Sequence, residues 1–207
     1  IHERAHQTAG IYPWLMEHDF GRHDDAVSEA FPLKLENGTT LALRGSIDRV
    51  DIALRDGQPA MLLVRDYKSG SSKLGSRVKS GTAFQLPLYQ TVAMALAPTL
   101  GIGGFFYHKL GNLTQLELDA AHLDPSLAEG IHGKPQRSSR KPSPEQLVTE
   151  TFPRQMSMLT DAMTSGNFHP TLIDGEKSCA FCVYRNACNV RLDKQHALEQ
   201  RGGTLRD

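Results

Sequence analysis

The chain has 207 residues, which is enough for one substantial domain with a buried core. Its 23 Lys and Arg residues balance its 23 Asp and Glu residues, so any contact with nucleic acid has to come from local basic patches. No apolar run reaches the length of a membrane span and no signal peptide opens the chain, so we expect a soluble, cytoplasmic protein.

Residues 1–28 predict a helical N-terminal segment. Apolar residues recur among polar ones in residues 1–19, and Gly10 and Pro13 interrupt the pattern. His2, His6 and His18 suggest a metal site, although scattered histidines more often lie on the surface or in the core. Because the chain opens at Ile1 within this segment, we expect it to be truncated from a larger protein.

Two β-hairpins are predicted in the next part of the chain. Residues 29–33 alternate polar and apolar and precede the turn signal Asn37-Gly38, which predicts a strand that pairs with 40–54. Residues 40–54 and 60–68 are rich in Val, Ile and Leu and flank Asp56-Gly57. The second pair of segments therefore predicts a hairpin of its own.

Two carboxylates are expected to face each other across the second hairpin. If Gly57 is its centre, Asp48 lies opposite Asp66, and cross-strand neighbours have Cβ atoms about 5 Å apart. Lys68 shares the face of Asp66, because side chains alternate with period two. The two acids would repel each other, whereas a hard divalent cation such as Mg²⁺ between them would make the arrangement favourable. An ordinary amphipathic hairpin with solvated charges is the alternative.

The apolar pattern of residues 40–54 changes from odd to even positions near Asp48. Such a change indicates a bulge or bend, a device that re-aims side chains beside active sites. Arg49 and Asp51 then lie on the face opposite Asp48. We interpret them as a structural ion pair.

A cationic loop and a helix follow. Residues 69–82 are rich in Gly and Ser and carry three cations that could hold a phosphate backbone, although a solvated loop has the same composition: Lys73, Arg77 and Lys79. Residues 82–97 predict a helix that ends before Pro98. Its regular part starts around Gln85, since Pro87 is tolerated only in the first turn. Gln85 and Tyr89 are four residues apart and share one helix face.

The remaining chain predicts strands, a loop and C-terminal helices. Residues 103–110 and 113–118 predict two strands, and residues 124–142 are too polar for a core and predict a flexible loop. Residues 143–207 predict a helical C-terminal segment that holds a cysteine cluster. In it, Ser143 and Gln146 form a capping box, and the helix is expected to kink at Pro153 and stop at Gly166.

The three cysteines lie together as Cys179-x₂-Cys182-x₅-Cys188. This clustering indicates a metal site rather than a disulfide in a cytoplasmic protein. Three thiolates are one short of the usual four for zinc or an iron–sulfur cluster. Zinc with His169 or His196 as the fourth ligand and the absence of any metal both stay open.

Three pieces of the chain resemble, in order, motifs of the PD-(D/E)XK nuclease superfamily, closest to the RecB- and AddB-like nuclease domains of bacterial repair helicase–nucleases. The pieces are GSIDRVD at residues 45–51, DYKSG at residues 66–70 and QLPLY at residues 85–89. The resemblance covers residues 29–190. It implies an α/β, restriction-endonuclease-like core at residues 29–123, with a mixed central β-sheet flanked by helices.

The same resemblance implies a deoxyribonuclease that depends on Mg²⁺ or Mn²⁺ and acts on DNA ends or single strands delivered by a helicase. The implied metal ligands are Asp48, Asp66 and the Tyr67 carbonyl, and Lys68 orients water or neutralises developing charge. Gln85 and Tyr89 support the lysine or the substrate. Glu29 matches a family glutamate and is either a carboxylate that supports the metal ligands or a surface residue.

For the cysteines, the resemblance implies a [4Fe–4S] cluster. AddB-like nucleases and CRISPR-associated exonucleases carry the same spacing after the nuclease core, with a fourth cysteine far upstream. Cys179, Cys182 and Cys188 are then cluster ligands in the full-length protein, with zinc as the alternative. A CRISPR-associated-exonuclease-like iron–sulfur nuclease, a non-catalytic DNA-end-binding module and a purely structural iron–sulfur module are the other functions that stay open.

Overall fold

The fold is built around a mixed five-stranded β-sheet. The computed structural model describes residues 6–7, 9–21, 30–69, 83–110, 117–132, 142–167 and 183. In chain order its elements are β1 (Ile11–Phe20), β2 (Phe31–Lys34), β3 (Thr40–Leu43), β4 (Gly45–Arg55), β5 (Gln58–Lys68), α1 (Gln85–Leu96), β6 (Gly101–Lys109), β7 (Glu117–Leu123), α2 (Pro125–His132), α3 (Pro144–Gln146), a π-helical turn (Leu147–Thr151) and α4 (Phe152–Thr164).

The strand order in the main sheet is β1-β4-β5-β6-β7. β1, β4 and β5 pair antiparallel, β6 lies parallel to β5, and β7 is antiparallel to β6. The parallel pair requires a crossover connection, and α1 lies within it. The sequence prediction of an α/β fold with a mixed sheet is therefore confirmed.

Alternate residues of the central strand β5 pack on opposite faces of the sheet. Leu62 and Val64 belong to an apolar cluster that includes Leu86 and Val92 of α1. Leu63 belongs to a second cluster, which includes residues of α2. The sheet is thus buried on both faces at its centre, which explains why β5 is a continuous apolar run in the sequence.

The helix predicted for residues 1–19 is wrong over Ile11–Phe20, which forms the edge strand β1. Gly10, with φ of +73°, turns the chain into this strand, and the strand then pairs with β4 along its length. Pro13, which suggested a helix break, lies instead at a β-bulge, where an edge strand tolerates a missing N–H donor. Pairing with β4 therefore outweighs the helical pattern of the segment.

Both predicted hairpins are present, but the segment 40–54, predicted as one strand, is divided into β3 and β4, which belong to different sheets. β2 pairs with β3 around Asn37-Gly38 as a separate two-stranded sheet. β4 and β5 join through Asp56-Gly57, where φ is +53° and +75°. Two consecutive positive φ angles are what a type I′ hairpin turn requires, so Asp-Gly suits this position.

The shift of phase predicted near Asp48 is also present. Ile47 and Val50 are an odd number of residues apart, yet both belong to the apolar cluster on the α1 face. Opposite this point in β1, Glu17 has a φ of +46° between the paired residues Met16 and His18. The irregular backbone of β1 therefore accompanies the change of face in β4.

Two predictions for residues 113–142 are corrected by the structure. Of the strand predicted at 113–118, residues 113–116 lie outside the described residues, and the strand β7 (Glu117–Leu123) extends beyond the predicted end to Leu123, which is buried in the cluster on the α2 face. The loop predicted at 124–142 contains helix α2. The Asp124 carboxylate accepts a hydrogen bond from the Ser126 amide at the start of this helix, and Leu127, Ala128 and Ile131 are buried. Residues 133–141 lie outside the described residues.

The predicted capping box is confirmed, because the side chains of Ser143 and Gln146 each accept a hydrogen bond from the other residue's amide. Just before Pro153 the helix widens to π geometry, with the Phe152 amide bonded to the Leu147 carbonyl. Proline has no amide hydrogen for the regular α-helical bond, so the distortion lies where the kink was predicted. The helix ends as predicted before Gly166, whose φ is +74°.

The chain divides into two compact units, Ile1–Met158 and Leu159–Asp207, and the main sheet lies in the first. None of the helices in the described part of the chain has the length and apolar character needed to cross a membrane.

Candidate functional site

Asp66 and Lys68 lie at the C-terminal end of β5, on the face that bears Leu62 and Val64. The period of two that buries those two residues also directs the acid and the ammonium to the same side, as the sequence predicted. The carboxylate of Asp66 is almost fully buried, at 2% exposed, whereas the Lys68 side chain is 31% exposed. Their charged groups form an ion pair through Asp66 Oδ2.

The first turn of α1 brings an amide to this ion pair. Gln85 Nε2 donates a hydrogen bond of 2.8 Å to Asp66 Oδ1, and Lys68 Nζ donates one of 3.3 Å to Gln85 Oε1. Gln85 therefore contacts both charged groups. Gln85 Nε2 also lies 3.2 Å from the Tyr89 hydroxyl oxygen, which accepts a hydrogen bond from it one helical turn later.

Asp48 joins the site from β4. Its Oδ2 accepts a hydrogen bond of 2.8 Å from the Tyr67 amide, next to Asp66. The paired residues of the two strands run to Arg49 and Arg65, in the register that the sequence predicted around Gly57. Asp48 and Asp66 are the next residues beyond that pair, so the two carboxylates come from neighbouring strands at one end of the hairpin.

Burial dominates the electrostatics of Asp66. It raises the pKa of the carboxyl above the usual 3.8, because the ionised form loses solvation. The hydrogen bond and the charge of Lys68 oppose this effect, and the negative charge of Asp48 adds to it. Among the described residues, the Lys68 ammonium offsets only part of the free-energy cost that burial and the Asp48 charge impose on the ionised Asp66 carboxylate.

This donor set fits a hard divalent cation. Within the described residues, no group of three or more His, Cys, Asp or Glu side chains is arranged to hold a metal ion. Mg²⁺ does not require such a group, because it binds through one or two carboxylates and completes its shell with water and substrate phosphate oxygens. Asp48 and Asp66 would supply those two carboxylates. The ligand role predicted for the Tyr67 carbonyl stays a prediction.

A buried ion network occupies the opposite face of the same hairpin. Asp51 pairs with Arg49 Nε at 2.5 Å and with Arg65 at 2.8 Å, and all three side chains are at most 7% exposed. Arg65 also lies 3.0 Å from His6 Nδ1, and Arg49 donates to the Tyr67 hydroxyl at 3.4 Å. The predicted ion pair between Arg49 and Asp51 is confirmed. The participation of Arg65 was not predicted, although its partner Asp51 lies on the neighbouring strand of the predicted hairpin.

Tyr107 is a neighbour of the site that the sequence analysis did not identify. It lies on β6 directly beside Asp66, and its ring centroid is 5.2 Å from Lys68 Nζ. The contact depends on the parallel pairing of β5 with β6, and no local sequence signal indicates that pairing.

The other predicted functional residues lie outside the described residues and stay predictions. These are the carboxylate Glu29, the loop cations Lys73, Arg77 and Lys79, the cysteines Cys179, Cys182 and Cys188, and the histidines His2, His169 and His196.

Comparison with known proteins adds independent findings. The family model described as "PD-(D/E)XK nuclease superfamily" matches residues 1–189. Proteins named as subunits of an "ATP-dependent helicase/deoxyribonuclease" are also similar. The protein from Moorella thermoacetica is 42% identical over 72 residues, which are 33% of this chain and 6% of the relative. The protein from Listeria welshimeri is 29% identical over 147 residues, 68% of this chain and 12% of the relative. The protein from Geobacillus kaustophilus is 33% identical over 114 residues, 52% of this chain and 9% of the relative. The chain thus spans only a small fraction of each relative's length.

Proposed function

Because the chain belongs to the PD-(D/E)XK nuclease superfamily and shares its restriction-endonuclease-like fold, we propose that it is a deoxyribonuclease domain that hydrolyses phosphodiester bonds with Mg²⁺ or Mn²⁺. The observation that carries the proposal is the convergence of two carboxylates, an ammonium and an amide at one end of the β4–β5 hairpin. Asp66 contacts both Lys68 and Gln85, and Asp48 is bonded to the backbone next to Asp66.

In this proposal the chain's own groups hold and orient the reactants. Asp48 and Asp66, with the Tyr67 carbonyl, would hold the ion. When bound, the ion supplies Lewis-acid stabilisation of the phosphate and lowers the pKa of a water molecule. Lys68 would place its ammonium against a non-bridging phosphate oxygen or the attacking water, where it offsets charge that grows in the transition state. Its partly exposed side chain supports contact with a substrate.

Gln85 would keep the Asp66 carboxylate and the Lys68 ammonium in place. Its amide donates to Asp66 and its carbonyl oxygen accepts from Lys68, so one side chain fixes the separation of the carboxylate and the ammonium. Tyr89 would fix Gln85 in turn through its hydroxyl. Such support matters because small misplacements of catalytic groups cost large factors in rate.

We further propose that the substrate is DNA, presented as ends or single strands by a helicase domain or subunit, and that the action is exonucleolytic. The support is the similarity to proteins named as helicase/deoxyribonuclease subunits. The cationic residues Lys73, Arg77 and Lys79 are the proposed backbone contacts. A cytoplasmic location follows from this role in DNA repair and recombination.

For Cys179, Cys182 and Cys188 we propose a [4Fe–4S] cluster in the full-length protein, supported by the resemblance of their spacing to that of AddB-like nucleases. Iron and acid-labile sulfide analysis of the anaerobically purified full-length protein should find both elements, and Cys182→Ser should remove them. Zinc in place of iron and sulfide would contradict the cluster.

The nuclease proposal is tested by DNA degradation with and without Mg²⁺. Asp66→Ala and Lys68→Ala should each abolish Mg²⁺-dependent cleavage while the protein keeps its circular dichroism spectrum. The control is Asp56→Asn, which changes an exposed acid in the hairpin turn and should keep full activity. Cleavage that survives at Asp66→Ala would refute the site, and DNA binding without any cleavage by the wild type would favour an end-binding module instead.

A further inference from the structure

The ammonium of Lys68 has three kinds of neighbour. They are the Asp66 carboxylate, the Gln85 carbonyl oxygen at 3.3 Å and the Tyr107 ring, whose centroid lies at 5.2 Å. A cation within about 6 Å of an aromatic centroid is attracted by the negative face of the ring. The ring is therefore a third holding point for the ammonium.

The Tyr107 ring has a fixed position beneath the ammonium. Tyr107 is 2% exposed and belongs to the apolar cluster beneath α1. It pairs directly with Asp66 across β5 and β6, so the position of its ring follows the sheet itself. Side chains in a close-packed core sit in well-defined rotamers.

The three contacts also differ in whether a divalent ion or a substrate phosphate would compete with the ammonium for them. A divalent ion bound by Asp66 would compete with the ammonium for the same carboxylate oxygens, and Gln85 already divides its hydrogen bonds between Asp66, Lys68 and Tyr89. A ring face offers no ligand atom to Mg²⁺ and repels phosphate. The contact between Lys68 and Tyr107 is therefore the one that persists when ion and substrate enter.

We propose that Tyr107 is a positioning residue for Lys68, and that its ring holds the ammonium in place when the Asp66 carboxylate is engaged by the divalent ion. This inference rests on the proposed nuclease function. It assigns the role to the ring face and not to the phenol hydroxyl. Tyr107 acts only through Lys68 and does not touch the reacting atoms.

The test compares three single variants of β6 in the Mg²⁺-dependent cleavage assay. Tyr107→Phe keeps the ring and Tyr107→Leu removes it. Phe105→Leu is the matched control, since Phe105 is a fully buried ring on the same face of the same strand, two residues before Tyr107. Each Leu variant removes one core ring, so their losses of stability should be similar.

Loss of a cation–π contact to a partly exposed ammonium corresponds to about a 5- to 30-fold fall in rate. Tyr107→Leu should therefore lower kcat about 5- to 30-fold relative to Phe105→Leu, with KM and Mn²⁺ affinity unchanged. Tyr107→Phe should keep kcat within about threefold of the wild type, since the ring face remains.

A cycle of unfolding measurements gives a readout that is independent of cleavage. Lys68→Met and Tyr107→Leu should be coupled in their effects on unfolding, whereas Lys68→Met and Phe105→Leu should be additive. Equal kcat for the two Leu variants in an active protein would overturn this inference alone, as would a Tyr107→Phe variant as slow as Tyr107→Leu. A wild type that binds Mn²⁺ and cleaves no DNA would instead overturn the proposed function, and the catalytic role of Tyr107 with it.

Discussion

The buried ion network on the opposite face of the β4–β5 hairpin is expected to contribute several kcal/mol to the free energy of unfolding, about 3–5 kcal/mol on removal of its carboxylate. Asp51→Asn removes the carboxylate that pairs with both Arg49 and Arg65 but keeps the shape of the side chain. The three side chains are at most 7% exposed, so water does not replace the lost partner. Removing one member of a buried pair costs about 3–5 kcal/mol, because it leaves uncompensated charge in the interior.

For a chain of about this length each kcal/mol shifts Tm by about 2–4 °C, so the variant should melt about 6–20 °C below the wild type. Urea unfolding followed by circular dichroism measures the free energy directly. Asp56→Asn is the matched control, because this acid is exposed at the other end of the same hairpin and should change stability by less than about 0.5 kcal/mol. A loss of less than about 1 kcal/mol for Asp51→Asn would show that the network does not stabilise the fold as described.

Two further predictions concern pH and backbone geometry. In metal-free protein the unfolding free energy of the wild type should fall relative to that of Asp66→Asn as the pH rises above 3.8 and through the raised pKa of Asp66. The reason is that burial penalises the ionised carboxylate in the folded state. Denaturant titrations at a series of pH values measure this difference, and a difference that does not depend on pH would contradict the desolvation of that carboxyl. Gly104→Ala should destabilise by at least about 2 kcal/mol, because Gly104 has φ of +126° and an added Cβ would lie 2.2 Å from the His122 carbonyl oxygen. Gly101→Ala, whose Cβ would meet nothing closer than 3.5 Å, is the control, and equal effects of the two substitutions would refute the constraint.

The hairpin that carries the two acids could be predicted because its determinants are local. Asp56-Gly57 fixes the turn, and the period of two then places Asp66 and Lys68 on one side. Next to the turn Arg55 pairs with Gln58, a register that alone would set Asp48 opposite Arg65. A bulge between Ala53 and Leu54 shifts the pairing by one residue, and only beyond it, from Ala53 to Arg49, does the register match the prediction.

What the sequence did not reveal depends on contacts between distant elements. Ile11–Phe20 looked helical because apolar residues recur among polar ones in this segment, and its pairing with β4 makes it a strand. Gln85 was singled out by its family resemblance and not by any local rule, since its partner Asp66 lies 19 residues away. Tyr107 entered its cluster through strand order, which no short motif encodes. Arg65 differs, because it lies opposite Arg49 within the predicted hairpin, and the predicted register already placed it beside the ion pair.

The central claim is that Asp48 and Asp66 together hold a divalent ion. Isothermal titration of Mn²⁺ into the wild type, Asp48→Asn, Asp66→Asn and the control Asp56→Asn tests this claim most directly. The account predicts a saturable site in the wild type and the control that is lost in both site variants. Mn²⁺ binding that is unchanged in Asp48→Asn or in Asp66→Asn would contradict it.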